Sequence, residues 1–155
     1  GIVIPEVSAR IADIPEERQY ATKLLIVSGC RVGCFTGTVE LGDTPGFLAA
    51  GEGAVWVQEQ GDGTVARIDP ETLAVTGRTK VGDNLKWGDI DTGEGKIWLR
   101  TTDEQTFVVI EAANGEILAR VGRPEGSGAI RYTPEGIWTS AHDVDSINWW
   151  ALSGE

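Results

Sequence analysis

One short pattern recurs along the chain and constrains its fold more than any other feature. Residues 51–57 read Gly-Glu-Gly-Ala-Val-Trp-Val, and residues 93–99 repeat the pattern as Gly-Glu-Gly-Lys-Ile-Trp-Leu. A looser copy, Pro-Glu-Gly-Ile-Trp-Thr, occupies residues 134–139. A regular period of this size is typical of proteins built from structural repeats, in which each unit buries its apolar face against its neighbours.

Each unit is predicted to contain four short β-strands separated by turn residues. A segment opened by glycine precedes each tryptophan run, further apolar runs follow it, and Gly, Asp-Pro or Asn-Gly fall between them. Four strands in about 40 to 45 residues is the pattern of a β-propeller blade. A β-sandwich is the competing prediction, but it does not require a tryptophan at one fixed place in every unit. The predicted runs are residues 46–49, 51–57, 64–69 and 73–78, then 88–91, 93–99, 106–111 and 115–120, then 128–131, 134–139 and 146–151.

The sequence therefore predicts an all-β protein with about 3.5 four-stranded propeller blades of about 42 residues each. The blades fall at about 46–82, 88–122 and 128–152, within a repeat region of residues 38–155. Residues 1–37 are predicted to form an N-terminal segment with an outer strand at 7–13 and part of a blade, whose strands lie at 23–27 and 38–41.

The tryptophans mark the blades. Trp56, Trp98 and Trp138 occupy the same repeat position and are predicted to lie in the core. Trp149 and Trp150 are adjacent on one strand, so they point to opposite faces of the sheet. We expect Trp150 to be core and Trp149 to face a neighbouring blade or a partner.

An incomplete set of blades predicts a partner. About three and a half blades would leave exposed the apolar surfaces that normally pack on a neighbour, which is unfavourable for a monomer. We expect another chain to complete a ring of about seven blades, as propellers commonly close. That chain is either a second copy, forming a homodimer, or the remainder of a cleaved precursor.

These units resemble the bacterial YVTN-type propeller repeats, which are shared with the virginiamycin B lyase-like (streptogramin lyase-like) family. The resemblance rests on residues 51–57, on Asp-Gly-Thr-Val-Ala-Arg-Ile-Asp-Pro-Glu-Thr at 62–72 and on Lys-Val-Gly at 80–82, and it covers about residues 38–152. It implies the propeller fold but not one chemistry, because such repeats serve enzymes, sensor domains and binding scaffolds alike.

Two possible functions follow from this resemblance. Blades of the lyases typically read Leu/Ile-Trp-Phe-Thr-Glu, with a catalytic histidine after a proline, whereas here only the first copy keeps the glutamate, as Glu59, and no Pro-His pair occurs. These departures favour a binding or scaffold module that recognises a small molecule or a partner chain through its rim loops. The alternative is part of a propeller enzyme, most plausibly a metal-assisted lyase of the streptogramin-lyase type. Only that alternative implies a cofactor, a divalent cation.

Charge excludes two classes of partner. The chain has 13 Lys and Arg against 24 Asp and Glu, a net charge of -11. Such a field repels phosphate backbones and anionic lipid, so neither nucleic acid nor a membrane surface is expected as a partner.

The two cysteines, Cys30 and Cys34, are separated by three residues with no histidine nearby, which makes a poor zinc site. They are predicted to form a disulfide across a turn, the alternative being two reduced thiols. A disulfide would indicate a periplasmic or extracellular protein.

Candidate site residues fall in loops that a propeller gathers on one rim. The catalytic candidates are His142, Glu59 and Arg100, and the ligand-binding candidates are Trp87, Lys86, Asp143 and Asp145. No metal site is assigned, although Asp143 and Asp145 are candidates for an incomplete calcium loop.

Each candidate has a simpler interpretation. His142, the sole histidine, is either a general base or metal ligand, or an exposed turn residue. Glu59 and Arg100 would form a rim ion pair or hold a polar substrate, or be solvated loop charges. Trp87 has no counterpart in the other units, and would stack on a ring or sugar or cap a blade edge.

Overall fold

The computed structural model describes residues 23–26, 37–85, 87–102 and 104–152. These residues form thirteen strands in four antiparallel sheets, and the predicted all-β class is confirmed. The described residues include no helix, and so none that is long and apolar enough to cross a membrane. The strands are β1 (Lys23–Ile26), β2 (Gly37–Glu40), β3 (Pro45–Gly51), β4 (Ala54–Glu59), β5 (Thr64–Ile68), β6 (Val75–Lys80), β7 (Ile90–Gly93), β8 (Lys96–Arg100), β9 (Phe107–Glu111), β10 (Ile117–Val121), β11 (Ile130–Thr133), β12 (Gly136–Ala141) and β13 (Ser146–Ala151).

Strands pair in the order in which they follow one another along the chain. β1 pairs with β2, and three larger sheets follow, which we call the first sheet (β3 to β6), the second sheet (β7 to β10) and the third sheet (β11 to β13). Every strand predicted in the three units is present within a few residues of its expected place. The prediction succeeds because turn residues punctuate each unit at the same positions.

The Gly-Glu-Gly pattern builds the hairpin between the first two strands of a sheet. Gly51 pairs with Ala54, so only Glu52 and Gly53 turn the chain between β3 and β4, and both have positive φ, 52° and 70°. Positive φ at both central residues defines the tight turn that matches the twist of a hairpin, and glycine adopts it at least cost. The same geometry recurs between β7 and β8, where Glu94 and Gly95 have φ of 60° and 71°.

Successive sheets pack face to face and touch along their first strands. β3 contacts β7, and β7 in turn contacts β11. Three clusters of buried side chains lie between β2 and the first sheet, between the first and second sheets, and between the second and third sheets. The core is therefore divided among the interfaces between sheets, as a repeat architecture requires.

Two of the three marker tryptophans are buried, as predicted. Trp56 is covered by the second sheet and Trp98 by the third, and each indole donates a hydrogen bond of 3.1 Å to the carbonyl of the glycine that ends the preceding strand. The prediction that Trp138 is core is wrong, because its side chain is 46% exposed. No described sheet follows the third sheet to bury it, and its ring packs beside that of Trp149, at 4.7 Å between ring centroids.

The described residues leave one apolar face of the third sheet uncovered. Trp138 pairs with Trp149 across β12 and β13, and Ile147 lies two residues before Trp149 on the same side; Ile147 is 73% exposed and Trp149 42%. We call these three residues the uncovered face. On the opposite side, Trp150 is half-buried and its ring packs edge-on against Phe107 of the second sheet, at 5.4 Å.

The N-terminal predictions are described only in part. β1 and β2 pair in the predicted hairpin, and Val39 and Leu41 pack on the first sheet. The outer strand predicted at residues 7–13, and the predicted disulfide between Cys30 and Cys34, lie outside the described residues.

Candidate functional site

Loops at one end of the sheets are hydrogen-bonded to neighbouring connections. The Gly61 amide donates to the Asp43 carbonyl at 3.1 Å, and the Leu85 amide donates to the Gln60 carbonyl at 2.9 Å. In the last unit, the His142 amide donates to the carbonyl of Ser127 at 3.0 Å. Each loop between the second and third strands is thus bonded to the connection that leads into or out of its own sheet.

Glu59 ends β4 and is fully buried rather than exposed at the rim. Its carboxylate accepts hydrogen bonds from the Arg78 guanidinium at 2.9 and 3.0 Å, from the Thr64 hydroxyl at 2.5 Å and from the Gly42 amide at 2.7 Å. Burial alone would raise the pKa of Glu59, but these bonds outweigh it and hold the pKa below its ordinary value. A carboxylate so fully engaged ties β4, β5 and β6 to the loop before β3.

Arg100 is likewise fully buried and does not pair with Glu59, so neither an ion pair between them nor two solvated loop charges is present. Its guanidinium donates to the carbonyls of Thr101 and Thr106, both at 2.6 Å, and of Gly126 at 2.9 Å. Weaker bonds of 3.4 Å reach the Ser140 carbonyl. Burial lowers the pKa of Arg100. The arginine therefore links the second sheet to the third.

The exposed residues His142 and Asp143 form a cluster with buried Ser127 that lacks the geometry of a nucleophilic relay. Both the Ser127 hydroxyl, at 2.9 Å, and the Asp143 carboxylate, at 3.1 Å, approach the same ring nitrogen of His142, Nε2. A relay requires the serine on one ring nitrogen and the carboxylate on the other. Here the Ser127 hydroxyl also donates directly to Asp143 at 2.7 Å, so the carboxylate orders the loop.

Asp143 is held ionised by that loop. Hydrogen bonds from the Ser127 amide and hydroxyl lower the pKa of Asp143 despite some desolvation, and the nearby charges of His142 and Arg100 lower it further. Asp145 is exposed with a φ of 52°. Within the described residues, no group of three or more His, Cys, Asp or Glu side chains is placed to hold a metal ion.

A cleft opens beside this cluster, with a volume of about 310 Å³. Trp87 and His142, which come from two different loop sets, line it together, whereas Lys86 lies outside the described residues. We call it the Trp87 cleft. Its lining residues are Phe47, Trp87, Asp89, Gly128, Ala129, Ser140 and His142.

Phe47 is the site residue that the sequence analysis missed. It is 51% exposed and follows the glycine that opens its unit, where the other two units have Asp89 and Ala129. Comparison of that one position among the units would have singled it out, because an exposed phenylalanine there has no role in the repeat.

The comparisons with known proteins identify no family. No family model matches the chain, and no curated protein matches it. Among solved structures, the chain is similar to one described as the crystal structure of the computationally designed Ika4 protein, with 11% sequence identity and a TM-score of 0.42, over 72% of this chain and 92% of that chain. A likeness this low bears on neither the fold nor the function.

Proposed function

We propose that the chain is a run of β-propeller blades that acts as a binding and scaffold module, with its rim loops recognising a small molecule or a partner chain. The observation that carries this proposal is the uncovered face. The corresponding faces of the first two sheets are buried by the next sheet, while Trp138, Ile147 and Trp149 of the third sheet lie open. Sheets of consecutively ordered strands that touch along their first strands support the propeller arrangement.

The occupant of the uncovered face is proposed to be another β-sheet. Trp56 is covered by aliphatic side chains of the second sheet, among them Ile97 and Leu99, and Trp98 by Ile130 and Ile137 of the third. A sheet of the same repeat from the remainder of a precursor would supply such a surface, whereas a second copy would supply its own uncovered face.

A second copy would not use the first sheet for this purpose. The face of that sheet turned away from the second sheet is already packed against Val39 and Leu41. Two copies therefore meet most simply through their uncovered faces, related by a two-fold axis.

Burial of the predicted catalytic residues favours binding over catalysis. Glu59 and Arg100 form hydrogen bonds with other groups of the protein and do not face solvent. The lyase alternative would then rest on His142 alone among its three candidates.

Calorimetry with divalent cations tests this choice. Titration of the chain with Mg²⁺, Mn²⁺ and Ca²⁺ is expected to give no saturable heat. Saturable binding that disappears in His142→Ala, but persists in a matched variant such as Asn148→Ala, would contradict the binding module and favour a metal-assisted enzyme.

A further inference from the structure

The Trp87 cleft carries an inference about ligand chemistry, which rests on the proposed binding function. We propose that the cleft binds a planar ring without negative charge, stacked on the indole of Trp87 and in contact with Phe47. The two aromatic side chains come from different units, and they are brought together where the connection into the second sheet passes the start of β3.

Trp87 is placed in a way that the fold itself does not require. Its side chain is 71% exposed and its φ is 64°, a left-handed conformation that is unfavourable for a bulky residue. Its carbonyl accepts a hydrogen bond of 3.3 Å from the Gly128 amide, which ties its backbone to the third sheet. Strained, exposed residues held by a rigid surround are typical of ligand clamps.

The volume of the cleft fits a small ring system. An apolar cavity of about 150 Å³ accommodates benzene in a protein interior. At about 310 Å³, the Trp87 cleft has room for two fused rings beside the exposed phenyl group of Phe47.

Several polar groups of the cleft already have partners within the protein, which disfavours a sugar. Asp89 accepts from the Ile90 amide at 2.8 Å and pairs with Arg131, and the hydroxyl of Ser140 accepts from the Ala129 amide at 3.0 Å. The Nε2 atom of His142 faces Ser127 and Asp143. A ligand with many hydroxyl groups would lose hydration that these groups do not replace, whereas a planar ring loses little.

The negative charge of the protein is the reason for proposing a ring without negative charge. The chain carries a net charge of -11, and Asp143 lies beside the cleft, whereas the charge of Asp89 is offset by Arg131. A negative field lowers the local concentration of anions and raises that of cations. The electron-rich face of an indole also attracts a cation.

The sole histidine provides a specific reporter for the test. His142 lines the cleft, so its ring gives one imidazole NMR signal that responds to binding there. The intact chain is titrated with indole, tryptamine, indole-3-acetate and methyl glucoside at low and high salt. Trp87→Gly removes the stacking surface at a φ that suits glycine, and Leu118→Ala is the matched control because it removes an exposed apolar side chain outside both the cleft and the uncovered face.

Saturable shifts with indole and tryptamine are expected, with indole-3-acetate weaker by about tenfold at low salt and less so at high salt. Trp87→Gly is expected to weaken the binding of indole and tryptamine by at least about tenfold, and Leu118→Ala to leave it within about twofold. No shift with indole or tryptamine, or equal loss in both variants, would overturn the proposal. Methyl glucoside binding that depends on Trp87 would overturn the ligand class but leave the proposed binding function standing.

Discussion

At the scale of single residues, two of the glycines that open a unit are required because a side chain at their positions would not fit. A Cβ on Gly88 would lie 2.0 Å from the carbonyl oxygen of Arg100, and one on Gly128 would lie 1.8 Å from that of Ser140. Arg100 ends the second strand of the second sheet, and Ser140 lies in the second strand of the third sheet. Each carbonyl can therefore move only if its sheet moves. Gly88 and Gly128 therefore permit a close approach between backbones, whereas a Cβ on Gly46, which opens the first unit, would first meet the side chain of Gln60.

Gly88→Ala is expected to lower the free energy of unfolding by about 1–3 kcal/mol or more, since the added methyl group overlaps a backbone atom. Urea denaturation measures the loss. The control is Gly77→Ala in β6, where no atom lies within 4 Å of the added Cβ. Equal stability of the two variants would contradict the close approach.

Glu59 makes the stability of the protein depend on pH. Its pKa is lower in the folded chain than the value of about 4.3 expected when unfolded, so its contribution is present above that value and is lost as pH falls through the folded pKa. Glu59→Gln is expected to cost about 1–3 kcal/mol at pH 7.

Urea denaturation between about pH 7 and about pH 3 checks this expectation. Glu59→Gln should lose less stability on acidification than the wild type does, while Glu135→Gln, at an exposed position, should follow the wild type. A variant as acid-sensitive as the wild type would contradict the assigned role of Glu59.

At the scale of elements, the sequence was sufficient to locate the strands but not to predict what packs against each sheet. Runs such as residues 64–69 and 106–111 became β5 and β9 because apolar spacing and turn residues are local signals. The prediction that Trp138 is buried was wrong because burial depends on what covers the sheet. A local sequence pattern does not contain that information. The burial of Arg100 was not predicted for the same reason. Its hydrogen-bond partners are backbone carbonyls, which cannot be recognised from a motif of side chains.

Arg100 is expected to hold the third sheet against the second. Arg100→Met leaves buried carbonyls of Thr106 and Gly126 without this donor, and should cost about 2–4 kcal/mol. Hydrogen exchange followed by mass spectrometry should accelerate more in β11 to β13 than in β3 to β6. The matched control is Arg123→Met, at an exposed residue. Uniform acceleration across all sheets would contradict a local clamp.

At the scale of the whole molecule, the repeat explains why one face is unfinished. Each sheet buries its tryptophan face on the next, so the last described sheet has an aromatic surface with no cover among the described residues. The sequence predicted such a surface from blade arithmetic, and the structure assigns it to Trp138, Ile147 and Trp149. Exposed apolar clusters of this kind mark interaction sites.

The molecular mass in solution tests the central claim most directly, with the purified chain measured by light scattering over a range of concentrations. The uncovered face predicts self-association to at least twice the chain mass of 16.6 kDa. Trp138→Lys combined with Ile147→Lys should return the mass to that of one chain, while Leu118→Lys, also at an exposed apolar residue, should not. A folded wild-type chain that remains at 16.6 kDa at every concentration would contradict the claim that this face pairs with a second copy.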